Sequence, residues 1–384
     1  MPILAPSSRP ALLALSNGKV FRGLAIGAAG TTTGEITFHT VMTGYQEILS
    51  APASYGQIVT ITYPMVGNTG INEEDFESDQ IWANGLVIKQ LPAKASNWRK
   101  TQELPAYLEQ AGIVGIEGVD TREITNIVRE EGILGACIIA AEYPGDVLDE
   151  KHAIEQAKEA LNITDQDLTG KVSTDHVYEW TIGAWDFSGF NHPKQDKGHL
   201  CVIDLGLKKS LLSAFSERGY KITVLPASTS FDEIMKLNPD GVIFSDGPGE
   251  ASKCTQVINT AKTLIQQNIP LFGIGIGHQI LALAEGARLQ KLKAGHHSAS
   301  NPVHFKRLGY FSMSQQNQRY MIDINSLPSH LLVDQISLFD QSLQGLCWEN
   351  RPIMTSQGYP DTLSAPMIPQ PSVHVFDRFL SLIK

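Results

Sequence analysis

Two rhythms of apolar and polar positions run along this chain. In the first part, residues 34–40 and 57–62 alternate with the period of half-buried strands, and Pro64, Gly67 and Gly70 then break the chain into short turns. Helical spacing follows, with Leu104, Tyr107, Leu108 and Ala111 on one face, and Ile124, Ile127 and Val128 on another. The second of these predicted helices opens on Asp120 with Glu123 three residues on, the spacing of a capping box, and Gly132 is a natural stop. The pattern predicts a mixed α+β domain over residues 1–155.

Periodicity weakens after Asp165, and residues 191–198 are polar and turn-rich, so residues 156–198 are expected to be a connecting segment and linker. From residue 199 the rhythm changes. Short apolar runs at 200–203, 221–225, 241–244 and 270–274 are separated by amphipathic stretches at 208–217 and 255–266. Val257, Ile258, Ala261, Leu264 and Ile265 share one side of the second stretch. Buried strands alternating with helices predict a doubly wound, mostly parallel sheet over 199–384, an α/β arrangement. Its sites are expected beyond the carboxyl ends of the strands. The final apolar positions, from Val373 to Ile383, read as a helix packed on that sheet. No internal repeat and no low-complexity tract occurs.

Composition narrows the class more than the chemistry. With 384 residues the chain is long enough for two or three domains, and 42% apolar against 18% charged residues excludes a disordered chain. A formal charge of −10 argues against general affinity for nucleic acid or anionic lipid. The four cysteines (Cys137, Cys201, Cys254 and Cys347) form no CxxC pair, which excludes a zinc site and a disulfide framework and leads to the expectation of a cytoplasmic protein. No apolar run reaches a membrane-spanning length, and the apolar stretch 11–15 is too short for a signal-peptide core.

The candidate chemistry lies at Gly273-Ile-Gly-Ile-Gly277-His-Gln279, which follows a predicted strand and opens a helix. Such a tight elbow can point one side chain into a cleft, with the helix amino end and nearby backbone N–H groups stabilising an oxyanion. Its middle residue is normally Cys or Ser, but here it is Gly275. Glycine adopts unusual backbone angles without steric penalty, so it can keep the turn while deleting the nucleophile. The segment does not satisfy GxGxxG, and no GxxxxGK[ST] phosphate loop is present.

At these residues the sequence resembles the small subunit of carbamoyl-phosphate synthase, whose carboxyl half is a class I glutamine amidotransferase domain. In the amino half the resemblance is carried by Gly34-Glu35, residues 42–49, Thr62-Tyr-Pro64, Gly67-Asn68, Ala95-Ser-Asn97 and Gly118-Val-Asp-Thr-Arg122. In the carboxyl half it is carried by Asp204-Leu-Gly206 with Lys208, residues 245–249, Gly277-His-Gln279, Gly295-His-His297, residues 337–340 and Gln357-Gly358. It covers nearly the whole chain, and the amino-half motifs belong to this family, not to amidotransferases generally.

The resemblance implies a glutaminase with a Cys nucleophile, a His base and an orienting Glu. Those positions fall on Gly275, Tyr359 and Asp361, and all three residue types differ. Glycine cannot attack an amide carbon, and a phenol, ordinarily titrating near pH 10, is a poor base at neutral pH. The implied glutamine-binding positions are Ala53, Gly247, Gly249, Gln279, Asn317, Arg319 and Tyr320. Of these, Arg319 replaces a glycine and Ala53 replaces a serine, with Ser54 adjoining it. The arginine is expected to fill part of the pocket.

Other readings are plainer. The histidine pair His296-His297 is expected to be structural, not metal-binding, because neighbouring residues of a strand point in different directions. Lys208 is expected to line an interdomain interface or to form an ion pair, and Asp120 and Arg122 to serve a helix cap and a surface ion pair. The resemblance implies a large-subunit partner that binds ATP, with its metal ion, and bicarbonate. It implies no cofactor in this chain, and a place in pyrimidine and arginine synthesis. The expectation is a small subunit with its own glutamine hydrolysis lost, acting as a structural or regulatory subunit with ammonia as nitrogen source. A repurposed scaffold no longer associated with a synthase is the alternative, and a slow glutaminase sustained by a compensating residue is a third.

Overall fold

A computed structural model describes residues 9–360 and 374–383, and the chain divides into two compact units, Met1–Asp165 and Gln166–Lys384. The first unit is built on seven strands: β1 (Pro10–Leu15), β2 (Val20–Gly27), β3 (Gly30–His39), β4 (Gln57–Ile61), β5 (Gly85–Val87), β6 (Val114–Glu117) and β7 (Gly135–Ala140). They close into a barrel in the order β1-β2-β6-β5-β4-β3-β7, parallel from β3 through β6 and antiparallel elsewhere. The mixed α+β character predicted for this half is present, but barrel closure was invisible to local periodicity. It rests on β1 pairing with β7 across the length of the domain.

Every residue of β4 is buried, although its sequence alternates, because its two sides both face protein. Helix Glu150–Glu159 shows how one outer face is covered: Ala153 and Ala157 pack with Leu12, Ala14 and Cys137. Helix Thr121–Glu131 forms as its spacing predicts, burying Ile124, Ile127 and Val128. The Asp120 side chain accepts from the backbone N–H groups of Arg122 and Glu123, both at 3.0 Å, and Gly132 ends the helix at φ 94°.

The stretch expected to be a linker contributes structure of its own. It holds a short helix at Thr169–Val172, β8 (Tyr178–Trp180) and a hairpin of β9 (Trp185–Asp186) with β10 (Gly189–Phe190). Strand β8 pairs antiparallel with the second sheet through Ile222, Thr223 and Val224. Strands of two or three residues are too short to leave a periodic signature.

The remaining strands are β11 (Gly198–Asp204), β12 (Tyr220–Pro226), β13 (Gly241–Phe244), β14 (Leu271–Ile274), β15 (Leu289–Phe305), β16 (Tyr310–Ile322), β17 (Leu331–Ser337), β18 (Leu343–Trp348), β19 (Ile353–Ser356) and β20 (Tyr359–Pro360). The sheet has 11 strands in the order β20-β16-β15-β17-β18-β19-β14-β13-β11-β12-β8. Its centre, β12-β11-β13-β14-β19, is parallel, as the alternation of runs and helices predicts. The antiparallel wing from β15 to β18 was not foreseen.

Period-two geometry divides the core into two layers. Cys201, Ile203, Val242 and Phe244 join the cluster under helices Thr255–Gln266 and Ile276–Ala284, while Leu200, Val202 and Ile243 face the opposite cluster. The latter is held by Phe215, Phe272, Phe376 and Phe379, with Phe215 and Phe376 ring centroids 4.9 Å apart. Among the described residues no helix is long and apolar enough to cross a membrane.

Candidate functional site

The carboxyl ends of β11, β13, β14 and β19 converge on one place, and the order of the sheet reverses between β11 and β13 there, where ligands bind in doubly wound folds. At the end of β11, buried Asp204 accepts from the backbone N–H groups of Thr174 at 2.7 Å and of Gly206 and Leu207 at 2.9 Å. Burial nevertheless keeps its carboxyl above the ordinary range. These bonds fold the Asp204-Leu-Gly206 turn and deliver Lys208, itself buried, to the foot of helix Lys209–Glu217.

The end of β13 runs into residues 245–249. Gly247 is required by close approach, because a Cβ there would lie 1.7 Å from the Leu205 carbonyl oxygen. Gly249 forms an isolated antiparallel bridge with Asp167.

The end of β14 is the elbow. Gly275 stands at φ 57°, ψ −118°, a conformation that L side chains rarely adopt, and helix Ile276–Ala284 begins immediately after it. Its N–H donates to the Ser356 carbonyl at 3.1 Å. The strand–turn–helix backbone expected of an elbow is therefore present, with glycine at its middle position. The space beyond it is filled: a Cβ at position 275 would lie 1.8 Å from Asp246 Oδ1 and 2.2 Å from its Cγ. Asp246 accepts from the Ile276 N–H at 3.1 Å, and the Gly247 backbone N–H gives it a second bond.

Tyr359, at the implied position of the base, is 2% exposed and lies in β20, where it pairs with Gln315. Lys208 Nζ sits 4.2 Å from the centroid of its ring and donates to Gln315 Oε1 at 3.1 Å. The lysine thus ties β11 to β16 and β20 through an ion–ring contact of about 0.5–2 kcal/mol. Asp361 lies outside the described residues.

The positions that the resemblance implies for glutamine separate into groups. Ala53 is buried in the 3₁₀ turn Pro52–Ser54 of the first unit. Gln279, on the elbow helix, donates to the Tyr320 carbonyl and to Gln357 Oε1, both at 3.0 Å. Tyr320 sends its hydroxyl to Glu250 Oε2 at 3.2 Å, next to Gly249. Asn317 Oδ1 is 2.6 Å from His297 Nδ1. Arg319 is 6% exposed, so its guanidinium does occupy interior volume, and its charge contributes to holding His297 down near pKa 4, behind the larger effect of burial. His296 turns the other way, with Nε2 2.9 Å from Asp340 Oδ2. The neighbouring histidines therefore have separate hydrogen-bond partners.

Burial raises all four thiols. Burial pushes Cys137 up to about 11 and Cys201 up to about 12, and both lie inside strands. Cys254, at a helix start, is pushed up by burial and by Asp167, to which its Sγ donates at 3.4 Å. Cys347 is raised too, first by burial. At neutral pH each is held as the unreactive thiol. His278, beside the elbow, is fully buried, bonded through Nδ1 to Thr355 Oγ1 at 2.8 Å, and driven by burial to about 3.

Asp246 lay within residues 245–249, which carry the resemblance, but was given no role of its own. Its signal was an acid two residues after a predicted strand and two before Pro248, with a lysine after the neighbouring strand.

Comparison with known proteins matches both units. A family model described as carbamoyl-phosphate synthase small chain, CPSase domain, matches residues 13–138, and one described as glutamine amidotransferase class-I matches residues 201–378. The carbamoyl phosphate synthase small chain of Vibrio parahaemolyticus is 45% identical over 381 residues, covering 98% of this chain and 99% of that protein. That of Polynucleobacter necessarius is 42% identical over 393 residues, covering 100% and 98%. That of Pseudomonas putida is 43% identical over 376 residues, covering 97% and 98%.

Proposed function

Because the chain belongs to the carbamoyl phosphate synthase small chain family, we propose that it serves as the small subunit of such a synthase with its own glutamine hydrolysis lost. In this reading it supports or regulates a large subunit that takes its nitrogen from free ammonia. The observation that carries the reading is the elbow: the nucleophile position is Gly275, and the volume a side chain would need there holds the Asp246 carboxylate.

Three further features support it. Covalent amide hydrolysis needs an electron pair on the protein at the elbow and a base to activate it. Glycine supplies neither atom nor proton. Tyr359 lies packed under the Lys208 ammonium, an arrangement that favours an electron-rich ring face and not proton transfer to or from a substrate. The cysteines elsewhere are raised by burial, which leaves no activated thiol to take over. What survives, helix Ile276–Ala284 and the 245–249 turn, is scaffold.

The test uses the chain together with its large subunit. Carbamoyl phosphate formation is measured with glutamine and, separately, with ammonium chloride as nitrogen donor. The reading expects turnover with ammonium and none above the no-enzyme blank with glutamine. Failure of the two chains to co-purify would favour a scaffold detached from any synthase.

A further inference from the structure

We propose that the elbow of this chain is an anion site occupied from within: the Asp246 carboxylate takes the backbone donors of Ile276 and Gly247 and the volume beside Gly275, with Lys208 as its counter-charge. Four observations meet at this point. The acceptor is a charged group only 7% exposed, on a chain segment separate from the elbow. One donor, the Ile276 N–H at 3.1 Å, is the first amide of a nine-residue helix, where backbone N–H groups lack helical partners and the helix dipole favours negative charge. The positive charge that acts on it is Lys208, also 7% exposed and fixed by Gln315 and the Tyr359 ring. Finally, Gly275 leaves the volume open: with any side chain there, the carboxylate at 1.8 Å has to move.

The balance of forces explains why the carboxylate stays charged in such a place. Burial pushes it up to about 6, while Lys208 and the Gly247 and Ile276 amides pull the other way. At neutral pH it is therefore an anion held by the same kind of donors that would stabilise an oxyanion in a working elbow. The consequence is specific. Position 246, and not position 275 alone, decides whether the elbow can receive a negative group from outside. The anion site stands on these contacts. It rests on the proposed loss of the nucleophile only for the origin of the free volume.

The experiment removes the internal anion and offers an external one. Thermal unfolding of the full chain is followed for wild type, Asp246→Ala and Asp246→Asn at neutral pH in sodium formate, and in sodium pivalate of equal concentration. Formate matches the missing carboxylate in size, whereas pivalate carries the same charge on a body too bulky for the space. Asp246→Ala is expected to unfold several degrees below wild type in pivalate and to recover most of that loss in formate. Wild type and Asp246→Asn are expected to unfold at the same temperature in the two salts. Equal midpoints for Asp246→Ala in both salts, or a formate gain of the same size in wild type, would overturn the proposal.

If Asp246→Ala folds only in formate, the proposal is supported. If it folds in neither salt, the Ile276 amide decides. In ¹⁵N-isoleucine-labelled protein its proton resonance is expected to move upfield in Asp246→Asn, as a charge-assisted bond becomes a neutral one, and an unmoved resonance would overturn the proposal. Formate rescue can fail while glutamine remains unused, and glutamine turnover can appear while rescue succeeds. The two readings are thus separable.

Discussion

The amino-terminal barrel and the carboxyl-terminal elbow treat their family motifs differently. In the barrel, the motif residues are engaged in building the structure. The Tyr45 hydroxyl donates to the Gly70 carbonyl at 2.5 Å, and Gln46 exchanges bonds with the Asn72 backbone at 2.5 and 3.1 Å. At the elbow the backbone is as closely specified, by the positive φ of Gly275 and the close approach of Gly247, but glycine stands at its middle with a buried carboxylate beside it. Architecture is distributed over many contacts and tolerates exchange at a few positions. Covalent catalysis rests on a few atoms and does not. The chain is more than 40% identical to its relatives over nearly its whole length, and the loss proposed above concerns only the few atoms of the elbow.

The contrast can be broken by attacking each side of it. The largest effect is expected from Phe272→Ala, which removes a fully buried ring packed against Phe215, Phe376 and Phe379. Denaturant unfolding, read through amide exchange in β11 and β14, is expected to show a loss of about 3–5 kcal/mol. A loss below about 1 kcal/mol would mean that the aromatic cluster does not hold the sheet together.

Next comes Gly275→Cys. The left-handed backbone and the displaced Asp246 carboxylate together are expected to cost about 1–3 kcal/mol. No glutamine-dependent ammonia release is expected, because position 359 is still tyrosine and Arg319 is buried in the region. Substantial glutaminase from this single change would show that Tyr359 and Arg319 are no obstacle.

A third variant sharpens the contrast through pH. The buried imidazole of His278 titrates at about 3 in the fold, against about 6.5 unfolded, so the unfolded chain takes up a proton that the folded one refuses between those values. Its contribution is fully present above about pH 6.5 and is lost as pH falls toward 3. His278→Asn is expected to make the acid-side stability profile shallower by about 1.4 kcal/mol per pH unit, measured from urea unfolding between pH 6 and 4. Profiles of equal slope would mean that His278 takes its proton freely.

The smallest effect belongs to the barrel. Asp120→Ala removes a cap that satisfies two helix amides and is expected to cost about 1 kcal/mol, with faster exchange of the Arg122 and Glu123 amides.

Local pattern made some of this legible and not the rest. Helix Thr255–Gln266 appears where its apolar spacing placed it, and the central parallel strands follow their apolar runs. The elbow was legible too, since Gly275 stands between a buried strand and an apolar helix, with Gly273 and Gly277 close on either side. The β15–β16 ribbon was not, because its polar faces, with Lys291, His296, Gln316 and Gln318, carry no buried-strand signature and its register shifts twice. Barrel closure was hidden because strand pairing over more than 100 residues leaves no local trace. At the site, the absence of a side chain at the middle of the elbow could be read from position 275 alone. The replacement could not: Asp246, Lys208 and Tyr359 come from three separate segments, and only the fold brings the carboxylate to the glycine and the ammonium to the ring.

If glutamine hydrolysis is lost as proposed, the rate of carbamoyl phosphate formation by the purified pair of chains, with glutamine and with ammonium chloride under otherwise identical conditions, decides the matter. Turnover is expected with ammonium, and with glutamine a rate indistinguishable from the blank without enzyme. A glutamine rate well above that blank would contradict the proposed loss.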